Sequence, residues 1–193
     1  MEKIILASAS PRRKELMTMA GLTFDVIVSD CEENISYESP EDMVKKLSLL
    51  KAKDVADKIR QTETEPHLVI GSDTIVFFQN QILGKPKNEE DAFHMLKAMS
   101  GNIHTVYTGV TIIDTANNQT DTFYDETRVE FYDVTDEEIR NYIATGDPLD
   151  KAGSYGVQGR GCFLVKRIEG DYFTVVGLPI AHLLKELAKM DEN

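Results

Sequence analysis

The chain has 193 residues, of which 41% are hydrophobic and 28% charged. That composition fits one globular domain with a sizeable core and excludes a disordered, fibrous or membrane-spanning chain. The net charge of −12 argues against nucleic acid or an anionic lipid surface as a partner, yet leaves room for a small anionic substrate wherever cations converge. No leader peptide is expected, and Cys31 and Cys162 read as packing thiols in a reducing cytoplasm.

Lys3–Ala7 reads as a first strand, followed at once by Ser8-Ala9-Ser10-Pro11-Arg12-Arg13 and a helix to Ala20. Ser10 suits the N-cap, Pro11 the first helical position and Gly21 the residue past the end. Two adjacent arginines oppose the positive end of the helix dipole, so an anion such as phosphate would relieve a local conflict there. Solvated arginines on a capped surface helix are the plainer alternative. Phe24–Ser29 reads as a second strand, and Asp30-Cys31-Glu32-Glu33 as an acidic turn. Ser39-Pro40 opens a long helix to about Ile59, carrying Lys45, Lys46, Lys51, Lys53 and Lys58.

The stretch His67–Pro86 organises the rest. Leu68-Val69-Ile70 is an apolar run of the kind buried on both faces of a sheet, and Gly71-Ser72-Asp73-Thr74 is expected to interrupt it before Ile75–Phe78 resumes. A carboxylate inside such a run is costly unless paired, hydrogen-bonded or metal-bound, which singles out Asp73; the plainer alternative is an Asp at a strand end or bulge that hydrogen-bonds the local backbone. Gly84-Lys85-Pro86 makes a tight turn presenting a lysine. Asn88 caps a helix to Met99, ended by Gly101. Ile103–Asp114 and Thr120–Phe131 alternate like paired strands, and Thr135–Glu138 is a capping box. Pro148–Gly161 is a loop holding Lys151, Gln158, Arg160 and four glycines, a composition suited to backbone meeting ligand. Phe163–Val176 reads as a hairpin turning at Glu169-Gly170-Asp171, and Leu178–Met190 as a last helix opened by Pro179.

Five segments, SASPRR (8–13), GSDT (71–74), GKP (84–86), MSG (99–101) with His104, and DKAGSYGVQG (150–159), follow one another across nearly the whole chain. In that order they resemble the Maf family of nucleoside triphosphate pyrophosphatases. The family pattern often has Glu-Pro before the last segment, where this chain has Asp147-Pro148. The resemblance implies a single α/β domain over residues 1–193, elongated, with two lobes around a mixed sheet and a central cleft, similar to inosine triphosphate pyrophosphatases. It implies hydrolysis of a nucleoside triphosphate to the monophosphate and pyrophosphate, assisted by a divalent cation (Mg or Mn), in the removal of non-standard or modified nucleotides. Asp73 is then the proton acceptor or chiefly a metal ligand. Glu33, or its neighbour Glu32, shares the metal with it. Ser8, Arg13, Lys51 and Lys85 hold the phosphates, and Arg12, Thr74 and Gln158 match the positions associated with base choice in the branch preferring dTTP and UTP. The resemblance also suggests a homodimer, in the cytoplasm that the cysteines imply, and the charge leaves no nucleic acid and no membrane as partner.

The residues fit that chemistry on their own terms: water attacking an α-phosphorus needs a base or metal to prepare it and cations around the departing pyrophosphate. Two other readings stand beside it. One is a nucleotide-binding regulator of septum formation with little turnover, and the other a phosphatase releasing single phosphates.

Overall fold

The computed structural model describes residues 3–191. The elements are β1 (Lys3–Leu6), α1 (Pro11–Met19), β2 (Phe24–Val26), α2 (Pro40–Thr62), β3 (His67–Phe78), β4 (Gln81–Leu83), α3 (Glu89–Met99), β5 (Ile103–Asp114), β6 (Thr120–Phe131), α4 (Asp136–Ile143), β7 (Val165–Glu169), α5 (Tyr172–Val176) and α6 (Ile180–Asp191). The fold is mixed α/β with one mixed sheet in the order β2-β1-β3-β5-β6-β7, β4 pairing with β3. β1 runs parallel to β2 and β3, whereas β3–β4 and β6–β7 are antiparallel. Among the described residues no helix is long and apolar enough to cross a membrane.

The chain divides into two compact units: residues 1–73, 108–125 and 177–193 form the first, 74–107 and 126–176 the second. In the first, Ile5, Ala7, Val69 and Ile113 from the strands pack on Ala52, Val55, Ala56 and Ile59 of α2. In the second, Val76, Phe78, Leu96, Phe131, Ile139 and Leu164 belong to one core.

The contact of α2 with β3 is set by glycine. A Cβ built on Gly71 would stand 2.3 Å from the Ser48 carbonyl oxygen and 2.7 Å from the Ala52 nitrogen, so helix backbone lies directly on strand backbone. Gly109 on β5 does the same beneath Val44, where a Cβ would come within 2.2 Å of the carbonyl oxygen. A buried chain of hydroxyls, Ser48 to Thr111 at 2.9 Å and Thr111 to Thr122 at 3.0 Å, fixes the register of that helix on the strands.

Several expectations need correction. β3 is unbroken from His67 to Phe78; the glycine that was expected to interrupt it marks instead where α2 approaches. β2 ends at Val26 rather than Ser29: past it the chain is held by Asp54, which accepts from the Ser29 hydroxyl (2.8 Å) and the Asp30 amide (3.0 Å). No hairpin spans Phe163–Val176. Val165–Glu169 pairs with β6, and Asp171 then accepts from the Thr174 amide (2.8 Å) and hydroxyl (3.0 Å), starting α5 instead of a returning strand. Cys162 is exposed rather than packed, because the turn that holds it buries Gly161 and Leu164, three residues apart, and leaves the positions between them outside. Cys31 is half-buried, with its sulfur 3.0 Å from the Ser29 hydroxyl oxygen.

Candidate active site

Side chains two apart on a strand share a face. Asp73 therefore follows Gly71 on the side of β3 that meets α2, and Lys51, between Ser48 and Ala52 in that helix, reaches it. Lys51 Nζ lies 2.5 Å from Asp73 Oδ1 and 2.9 Å from Glu33 Oε1. The side chains of Lys51 and Asp73 are 16% and 13% exposed, so their charges meet where solvent screens them weakly. Glu33, 53% exposed, reaches in from the long segment ahead of α2.

Beside them stands the turn into α1. Ser10 occupies the N-cap position, but its hydroxyl makes no capping bond. The Ser8 hydroxyl works there instead, accepting from the Ser10 amide at 3.3 Å and from Arg13 Nη1 at 3.0 Å. Arg13 Nε donates to the Gly177 carbonyl at 2.8 Å, and the buried Ser72 hydroxyl donates to the same oxygen at 3.2 Å. Burial lowers the pKa of the Arg13 guanidinium, Asp73 and Glu33 oppose that shift, and Arg12 adds to it. Arg12 is half-buried in the first turn of α1.

The first unit thus gathers Ser8, Arg13, Glu33, Lys51 and Asp73. Of the remaining predicted residues, Thr74, Lys85 and Gln158 belong to the second unit. Thr74 follows Asp73 on β3 and is half-buried; Lys85 is exposed just past β4; Gln158, half-buried, precedes a 3₁₀ turn at Gly159–Leu164. Sequence reasoning missed Ser72 and Gly177. Gly177 adopts φ of +120°, open chiefly to glycine, and its one visible signal was a lone glycine before Leu178-Pro179.

Two carboxylate oxygens converging on one ammonium are also hard donors suited to Mg²⁺ or Mn²⁺. Among the described residues no group of three or more His, Cys, Asp or Glu side chains is arranged to hold an ion. Magnesium typically takes one or two carboxylates and completes its shell with water and substrate phosphates, so Asp73 and Glu33 fit that use.

The family model for Maf-like proteins matches residues 3–190. The chain belongs to that family. A dTTP/UTP pyrophosphatase of Bacillus cereus is 53% identical over 192 residues, covering 99% of this chain and 97% of the relative. One from Bacillus anthracis, with the same name, is 52% identical with the same coverage. Among solved structures, the Staphylococcus aureus Ham1 protein is 16% identical, with a TM-score of 0.43 over 83% of this chain and 78% of that one. A nucleoside-triphosphatase / dITP/XTP pyrophosphatase from Mycobacterium abscessus is 10% identical, with a TM-score of 0.39 over 68% of this chain and 75% of that one.

Proposed function

We propose that the chain hydrolyses nucleoside triphosphates, dTTP and UTP above others, to the monophosphate and pyrophosphate. The observation that carries the reading is that relatives named dTTP/UTP pyrophosphatase share half of its residues over nearly its whole length. Lys51 paired with Asp73 and Glu33, next to the Ser8–Arg13 turn, supports it.

In the proposed reaction a water oxygen attacks the α-phosphorus and gives its proton to the Asp73 carboxylate. The bond from that phosphorus to the bridging oxygen breaks, and pyrophosphate leaves with the electron pair. Arg13, Lys51, Lys85 and the Ser8 hydroxyl hold the phosphates and offset the charge that builds up on the leaving group. Lys51 exchanges its carboxylate partners for phosphate oxygens when substrate enters. A divalent cation, Mg or Mn, held by Asp73 and Glu33 would supply further charge neutralisation across the phosphates. Arg12, Thr74 and Gln158 choose the base.

Residues 1–193 act in this reading as one catalytic domain, since the family match runs across both units without a break. A cytoplasmic location and a homodimer are part of the same proposal. The dimer rests on the family resemblance, and light scattering on the purified protein tests it. The regulator of septum formation is the weaker reading, because the relatives are named for a catalytic activity.

The deciding experiment is a panel of natural and modified triphosphates with Mg²⁺ or Mn²⁺, with products separated. Pyrophosphate and monophosphate are expected. Orthophosphate would identify a phosphatase instead, and binding without turnover a sensor.

A further inference from the structure

Gln158 lies between two points at which its loop is pinned to one hydroxyl. The Tyr142 hydroxyl, on α4, accepts from the Gly156 amide at 3.2 Å and donates to Asp147 Oδ2 at 3.1 Å. Tyr142 is 3% exposed, and its ring packs edge-on against Phe163 with centroids 5.7 Å apart. Gly161 closes the far side: a Cβ there would stand 2.5 Å from the Tyr142 hydroxyl and 2.3 Å from the Gly156 carbonyl oxygen.

Lys151 completes the arrangement. Its ammonium donates to the Asp147 carbonyl at 2.5 Å, to Asp147 Oδ1 at 3.0 Å and to Asp150 Oδ1 at 2.8 Å. Its aliphatic stem lies against Gly156, where a Cβ would meet Cε at 2.9 Å. The lysine is 9% exposed. So Gly156 and Gly161, on either side of Gln158, are both clamped against the hydroxyl that holds Asp147, and Asp147 in turn is held by Lys151.

From this we infer that Tyr142, Asp147 and Lys151 are positioning residues: they fix the segment 156–161 that presents Gln158, and the selection of the base depends on them. The inference rests on the reading in which Gln158 chooses the base. A glutamine amide discriminates between hydrogen-bonding edges only if its own donor and acceptor are held in place. Glycine-rich backbone cannot do that unaided, because each glycine has more conformations to lose than other residues. A half-buried loop with a single buried hydroxyl at its centre meets the requirement.

The test uses the full chain with Mg²⁺ in four forms: unaltered, Tyr142→Phe, Gln158→Ala and the double variant. Tyr142→Phe keeps the ring and its packing but removes both hydrogen bonds. It is expected to lower kcat/KM for dTTP about tenfold, and to cost less than about twofold when Gln158 is already alanine, the non-additivity of residues that act through one another. Backbone amides of 156–161 should exchange about tenfold faster in Tyr142→Phe, with those of α3 unchanged. Asp147→Asn, isosteric and acting through the same hydroxyl, should show the same coupling and serves if Tyr142→Phe does not fold. Additive losses, or unchanged exchange at 156–161, overturn the inference while leaving base choice by Gln158 intact. Equal turnover of dTTP and ATP by the unaltered protein overturns base choice, and this inference with it.

Discussion

The ammonium of Lys51 is 2.5 Å from Asp73, so the residue proposed to bind phosphate and the residue proposed to take the proton hold each other while the site waits for substrate. The pair keeps each charge partnered where it is only slightly exposed. It also means that removing either group leaves the other without its charge partner.

Asp73→Asn keeps the side chain's volume and one acceptor but removes the charge. Turnover is expected to fall by a factor of roughly a hundred to ten thousand, the usual range when a general base is lost. Circular dichroism should report an unchanged fold. Near-normal turnover in the Asn variant would reduce Asp73 to a structural partner of Lys51.

Arg13→Ala removes a cation whose hydrogen bonds run to Ser8 and the Gly177 carbonyl. Pyrophosphate binding, followed by calorimetry, should weaken by roughly tenfold or more, the scale of a lost charge-assisted contact. Unaltered affinity with a lower Tm would instead make Arg13 a brace between α1 and the Gly177 turn.

Gly71→Ala tests the close approach that brings Lys51 to Asp73. The added methyl group meets backbone atoms of Ser48 and Ala52, which cannot rotate away as a side chain could. A loss of about 1–3 kcal/mol in urea-unfolding stability is expected, the usual cost of overpacking. Activity should fall as well, since α2 must move and Lys51 with it. Full stability in this variant would show that the helix–strand contact yields more easily than its geometry implies.

His104 provides a pH signature. It is 2% exposed, its Nε2 is 2.7 Å from the Tyr155 hydroxyl, and its Nδ1 has no hydrogen-bond partner. Burial lowers its pKa from 6.5 to about 4. The unfolded chain therefore binds a proton in the window between those values that the folded chain refuses. The stability is fully present above pH 6.5 and is lost as pH falls toward 4. At pH 5 this one residue should make the protein less stable than at pH 8 by roughly 2 kcal/mol. Urea titrations at the two pH values check it, with His104→Phe expected to flatten the difference.

Much of the fold was legible because its signals are local. Asn88 and Thr135 cap the helices expected of them, and the strands Ile103–Asp114 and Thr120–Phe131 have the ends that alternation predicts. Where long-range contacts decide, the sequence misleads. Past β2 the chain is held by Asp54 from a helix far along the sequence, and Asp171 replaces a hairpin by a helical turn. The same holds at the site. A carboxylate in an apolar run singled out Asp73, but nothing local selects Lys51 from the five lysines considered on its helix; its proximity to Gly71 does. Ser72 and Gly177 escaped notice because their role, holding the Arg13 side chain through one carbonyl oxygen, exists only once distant segments meet.

The division of the chain bears on how it is made. The first unit is assembled from residues 1–73, 108–125 and 177–193, so it is not complete until the segment from Gly177 onward has been synthesised. The second unit needs nothing beyond Val176 and is complete sooner. On the ribosome the second unit can therefore close while the last segment of the first is still to come. A released chain ending at Val176 should show stronger protease protection in the second unit than in the first.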